Sequence, residues 1–138
     1  MSMNKILWKM PEPATAIIRG PFFKVLPKRQ CEISFSIEGE GGGEKWLVLG
    51  FDGVEAFKST YLTSLSSIDM ELRRQAYGTL ISIDESPWLK KVKESYANYC
   101  VSARLAPKEL LHLMITFDDG PCYEFICATF RAEKESVL

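Results

Sequence analysis

Residues 110–131, LLHLMITFDDGPCYEFICATFR, read as two apolar strands folded back on each other through Asp118-Asp119-Gly120-Pro121. Gly tolerates positive φ, Asp hydrogen-bonds its own backbone and Pro cannot donate to a central ladder, so this cluster between two strand-forming runs is a hairpin signal. In the first arm Leu111, Leu113, Ile115 and Phe117 share one face, with Met114 and Thr116 on the other. In the second, Phe125 and Cys127 oppose Glu124, Ile126 and Ala128 across the pleat. Apolar side chains on both faces place this pair centrally in a sheet, with a helix covering one side.

Working outward, Cys31, Ile33, Phe35 and Ile37 alternate with Glu32, Ser34, Ser36 and Glu38, the cleanest period of two in the chain. The glycine-rich stretch 39–44 frees the backbone, and 45–51, with Trp46, Val48 and Leu49, returns as the second arm of a hairpin. Residues 54–62 fit both periods and are read as strand. Ile68, Met70 and Leu72 alternate with charged residues and are read as a half-exposed strand, followed by a short strand over 78–83. Residues 14–19 and 21–26 are short β-favouring runs split by Gly20-Pro21, as in an edge strand with a turn or bulge.

One helix start carries a mechanism. In Ser86-Pro87-Trp88 the serine oxygen can accept an orphan N–H, and proline at the first helical position loses no hydrogen bond. The spacing predicts a helix over about 86–98, with Trp88, Val92, Tyr96 and Tyr99 as the stripe that covers the sheet. A core position for the indole would make Trp88→Ala cost about 3–5 kcal/mol. The domain is then residues 14–132, preceded by a loosely attached arm over 1–13 and followed by a fraying tail over 133–138.

The 138 residues have the size of one domain, and 46% hydrophobic with 25% charged side chains is ordinary globular usage. A net charge of −1 disfavours a nucleic-acid partner, which needs a basic face. Local basic groups, Lys24 with Lys28 and Arg29 among them, are read as parts of a mixed-charge surface. No apolar run approaches the roughly 20 residues of a bilayer span, and 1–13 lacks the hydrophobic region of a secretory signal, so a cytoplasmic protein is expected without a membrane partner. Cys31, Cys100, Cys122 and Cys127 lack C-x-x-C spacing and are expected as buried free thiols.

The chemistry available is narrow. His112 is the single histidine, so histidine metal clusters cannot form; it is read as a structural or surface imidazole, because catalysis would need it beside a Ser or Cys and no nucleophile elbow is present. The glycine loop lacks the Lys-Ser/Thr pair of a phosphate cradle. Carboxylates remain: Asp52, Asp84, Glu85, Asp118, Asp119 and Glu124. Asp52 and Asp118 both follow a phenylalanine and are hypothesised to share one end of the sheet, whereas Asp118-Asp119-Gly120 alone is turn chemistry. Among the aromatics, Trp8 and Tyr77 lie outside clean periodic runs and are expected to be exposed.

Phe51-Asp52-Gly53-Val54 with Phe57, Ser86-Pro87-Trp88-Leu89, and Phe117-Asp118-Asp119-Gly120 followed by Tyr123-Glu124 together resemble a group of small uncharacterised bacterial proteins, over about residues 45–130. The resemblance implies no activity and transfers no catalytic residue.

These readings converge on an α+β fold, mostly antiparallel β: a bent sheet or small sandwich of about seven to nine strands with one main helix. The expected function is a non-catalytic cytosolic module that binds a protein partner or itself, immunity- or regulator-like, with edge strands near 14–26 pairing a second copy in a homodimer. Its ligand or partner surface is expected at Trp8, Asp52, Tyr77, Asp118 and Asp119, with no catalytic, cofactor or metal residue. The alternative is a small-ligand-binding protein or hydrolase using Asp52, Asp118 or Glu124 as clustered carboxylates.

Overall fold

The structure, a computed structural model, describes residues 4–11, 16–39, 41–61, 67–118 and 120–134. Its strands are β1 (Lys5–Lys9), β2 (Ile17–Leu26), β3 (Gln30–Glu38), β4 (Glu44–Asp52), β5 (Ala56–Thr60), β6 (Thr79–Ser82), β7 (Leu111–Thr116), β8 (Cys122–Cys127) and β9 (Thr129–Lys134). Two helices, α1 (Ser67–Gln75) and α2 (Pro87–Ala103), complete an α+β architecture. Named strands pair antiparallel in two sheets, one ordered β1-β6-β7-β8-β5 and the other β2-β3-β4-β9.

Alternation in the sequence decides what lies between the sheets. Cys31, Ile33, Phe35 and Ile37 of β3 face Phe51, Leu49 and Leu47 of β4 in register, and all are buried. They pack against Leu113, Ile115, Tyr123, Phe125 and Cys127 of the central hairpin in one cluster. Phe51 stacks on Phe125 across it, with centroids 3.9 Å apart. The opposite face of the five-stranded sheet carries a smaller cluster, Ala76, Ile81, Ile83, Met114 and Cys122, against which Leu72 of α1 packs. All four cysteines are buried free thiols.

Three element readings change. The stretch read as a strand around Met70 and Leu72 is helix α1: Leu72 and Ala76, four apart, share a helical face, while Arg73 and Arg74 end its last turn. Lys5–Lys9, read as part of the arm, pairs with β6 as an edge strand. Likewise β9 extends through Glu133 and Lys134, read as tail, because it pairs with β4. Helix α2 starts as expected, Ser86 accepting from Leu89 N–H, but runs five residues beyond Asn98 and closes with Arg104 in the left-handed region at φ 58°. No glycine marks that stop. Its stripe is also shallower than expected: Trp88, Val92 and Tyr96 are half-buried, Tyr99 is exposed, and Cys100 is its one fully buried residue.

Strand β2 bends where the sequence broke. Register shifts fall between Ile17 and Arg19 and between Arg19 and Phe22, and Gly20 sits at φ 98°. A Cβ there would lie 2.8 Å from the Ser34 carbonyl oxygen, so this position requires glycine. From Phe22 to Leu26 the pairing with β3 is regular.

Candidate functional site

The structure places His112 beside a serine, the one condition that nucleophilic catalysis required. Its Nδ1 lies 2.7 Å from Ser86 Oγ and its Nε2 lies 2.9 Å from Glu124 Oε1, with all three residues buried. An ionised Glu124 can only accept, so Nε2–H donates to it; in the neutral imidazole Nδ1 then accepts from the Ser86 hydroxyl, whose oxygen also accepts from Leu89 N–H at 3.0 Å. Lys58 Nζ sits 3.6 Å from the second Glu124 oxygen and 4.4 Å from the centroid of the Trp88 ring, which meets His112 edge-on at 5.0 Å.

A Ser-His-Glu chain of this kind invites a hydrolase reading, and its surroundings argue against it. In a nucleophile elbow the N–H of the residue after the serine helps to hold the oxyanion, and here that residue is Pro87, which has none. Further into the first turn, Leu89 N–H is engaged by Ser86 Oγ and Lys90 N–H by the Ser86 carbonyl. The cleft of about 380 Å³ beside the relay is lined by His112 with Asp84, Leu89 and Lys93, but not by Ser86 or Glu124. The relay is a cap extended through the sheet, fixing the start of α2 to β7 and β8.

The carboxylate hypothesis is overturned for Asp52 with Asp118. Asp52 ends β4, its carbonyl accepting from Ala128 N–H just past β8, and its side chain receives Arg131 at 2.6 Å on the outer face of the four-stranded sheet. Asp118 follows β7 at the hairpin end where β8 begins, and accepts from Tyr77 Oη at 2.6 Å. The length of β8 separates them, about 20 Å at about 3.3 Å per residue. Among the described residues no three His, Cys, Asp or Glu side chains converge as metal ligands. Asp119 lies outside the described residues. Trp8 and Tyr77, expected exposed, are both half-buried against the main core, Trp8 meeting Phe35 at 6.3 Å and Tyr77 anchored by Asp118. The hydrogen bond from Tyr77 to Asp118 holds its phenol above the usual range.

What the expected residues do not supply, the edge of β2 does. This ten-residue strand ends its sheet and carries large exposed apolar side chains, Ile18 (50% exposed), Phe22 (49%) and Val25 (62%). Phe22 points to the outer face and stacks on Trp46 at 6.1 Å, lining an open depression of about 550 Å³ with Lys24 and Ser34. Phe23 and Val25 belong to the inner row, opposite Ile33 and Cys31. Phe23 closes the core against Phe57, Tyr123 and Phe125 at 5.3–5.9 Å, but Val25 lies beyond it, where the sheets part. Facing it is Phe57 (45% exposed) on β5, the edge strand of the other sheet. Together they wall a mouth of about 350 Å³, with Cys31 and Val54 also lining it.

One ionic knot holds this mouth. Arg29, in the left-handed region at φ 58° on the β2–β3 turn, donates from Nη1 to both oxygens of Glu55, and Lys108 Nζ also bonds Glu55. Burial pushes the Glu55 carboxyl up, but the hydrogen bonds from Lys108 and Arg29 outweigh it and hold it below the usual carboxylate range. Tyr96 Oη accepts from Lys108 N–H at 3.1 Å, joining α2 to the same knot. A second cleft of about 340 Å³, between Arg29, Glu55 and the Val92, Tyr96 and Tyr99 side chains of α2, continues the mouth.

The sequence reading found the β2 edge but none of its surface residues. Their signal is that Ile18, Phe22, Phe23, Val25 and Leu26 put apolar side chains on both faces of a strand interrupted by Gly-Pro, more than one buried face requires. Comparison with protein-family models, with curated proteins and with solved structures gives no match.

Proposed function

We propose that the chain is a non-catalytic protein-binding module that receives an extended segment along the free edge of β2. The observation that carries this reading is the bare, regular stretch from Phe22 to Leu26, flanked by exposed Phe22 on one face and by exposed Val25 and Phe57 on the other. An edge strand offers unpaired N–H and C=O groups, so an added strand gains main-chain hydrogen bonds from the edge and specificity from pockets for alternate side chains. Both kinds of pocket stand beside it: the depression at Phe22 and Trp46, and the mouth at Val25 and Phe57.

Four buried thiols without a disulfide support a reducing compartment, the cytosol. Among the described residues no helix is long and apolar enough to cross a membrane.

Selection from a displayed library of random nine-residue peptides tests the reading. Peptides captured by the wild-type chain are expected to be lost on the Phe22→Ser and Val25→Lys double variant, both side chains being exposed enough to change without unfolding the domain. Near-UV circular dichroism checks that the variant is folded. Capture that is indifferent to both substitutions would remove β2 as the binding edge.

A further inference from the structure

The four strands that end the two sheets are not equally protected. Strand β1 carries Lys5 and Lys9 at its two ends and a bulge between Ile6 and Trp8, while β9 carries Arg131 and Glu133. Strand β5 has only five residues. Charge, irregularity and shortness are the devices that keep edges from pairing. Strand β2 uses its bulge and Pro21 to blunt its first half, and leaves its second half open.

The charge along β2 and the turn after it has one sign. The strand IIRGPFFKVL holds Arg19 and Lys24 and no acid, and the turn after it adds Lys28 and Arg29. Arg19 is paired with Glu44 and Arg29 with Glu55. Lys24 and Lys28 are exposed and have no ion-pair partner among the described residues. Glu32, opposite Lys24 across the ladder, has Arg131 Nη2 3.8 Å away on its other side.

From this, and resting on the β2 docking reading, we infer that the bound segment is an acidic strand: apolar side chains on one alternation, for the Val25–Phe57 mouth, and Asp or Glu on the other, opposite Lys24 and towards Lys28 in the turn just past the strand's end. Directly opposed cross-strand charges attract when opposite and destabilise when alike. That rule also discriminates against a second copy, because two β2 strands would bring Lys24 and Lys28 of each chain to a shared edge without an acid in either strand.

The same peptide selection provides the test, with a Lys24→Glu, Lys28→Glu variant added. Wild-type chain is expected to enrich peptides with Asp or Glu at alternate positions, and the charge-reversed chain to bind those peptides about tenfold more weakly and to enrich Lys or Arg instead. Peptides that depend on Phe22 and Val25 but show no acidic bias would overturn this inference and leave the docking reading standing. Capture that ignores Phe22 and Val25 would overturn the docking reading itself. Sedimentation showing a wild-type dimer that Val25→Lys dissociates would identify the occupant as a second copy, and would also overturn the inference.

Discussion

Arg29 on the β2–β3 turn donates to both carboxylate oxygens of Glu55, at 2.8 and 2.6 Å, and so ties the end of one sheet to the entry of the edge strand of the other. With Lys108 on the same carboxylate, the pair makes the mouth beside β2 a fixed feature of the surface. It also makes its stability depend on pH.

Glu55→Gln is expected to lower stability at pH 7, and the gap to wild type to close in acid. The folded-state pKa of Glu55 lies below its unfolded value of about 4.3, so its contribution is present above that pH and is lost as pH falls through the folded pKa. Urea unfolding of both proteins at pH 7 and at about pH 3 measures this. A gap that stays constant over that range would show that the carboxylate charge is not what Arg29 and Lys108 bind.

Ser86→Ala is expected to cost about 2–4 kcal/mol, the sum of a lost N-cap and a buried imidazole nitrogen left without its donor. The same variant is expected to leave any esterase background of the preparation unchanged. Covalent labelling of Ser86 in the folded wild-type protein by a fluorophosphonate would contradict the structural assignment.

Trp88→Ala is expected to cost about 1–3 kcal/mol, less than the 3–5 kcal/mol of a core indole, because the ring is half-buried between His112 and Lys58. Chemical denaturation of the variant decides between the two ranges.

The four thiols are expected to stay unreactive towards Ellman's reagent in the native protein and to react together on unfolding. All are buried, and burial pushes the Cys127 thiol up to about 12, far from the thiolate that attacks the reagent. Fast reaction of one thiol under native conditions would point to local opening of its strand.

The fold was legible where one period was unambiguous. The alternation at Cys31–Ile37 and around the Asp-Gly-Pro turn gave β3, β7 and β8 their faces, and Ser86-Pro87 gave α2 its start. Legibility failed at Met70 and Leu72, where a short amphipathic helix and a half-exposed strand share a pattern until tertiary packing selects one. It failed again at the end of α2, because Arg104 takes the left-handed cap without the glycine that would announce it. The site was harder still. Arg29 meets Glu55, and Ser86 meets His112, across 26 residues each, a separation that periodicity does not encode. The surface residues of β2 were hidden in a strand correctly placed at an edge, because exposure of Val25 depends on where the second sheet ends.

Hydrogen exchange on the chain alone and with a peptide chosen from the selection locates the bound segment on the sheet edge or elsewhere. Protection gained on binding is expected on residues 22–26, with secondary gains at the mouth around Phe57, and the central hairpin β7–β8 is expected to be unchanged. Protection centred instead on the cleft beside His112, or on α2 with β2 left open, would contradict docking at β2.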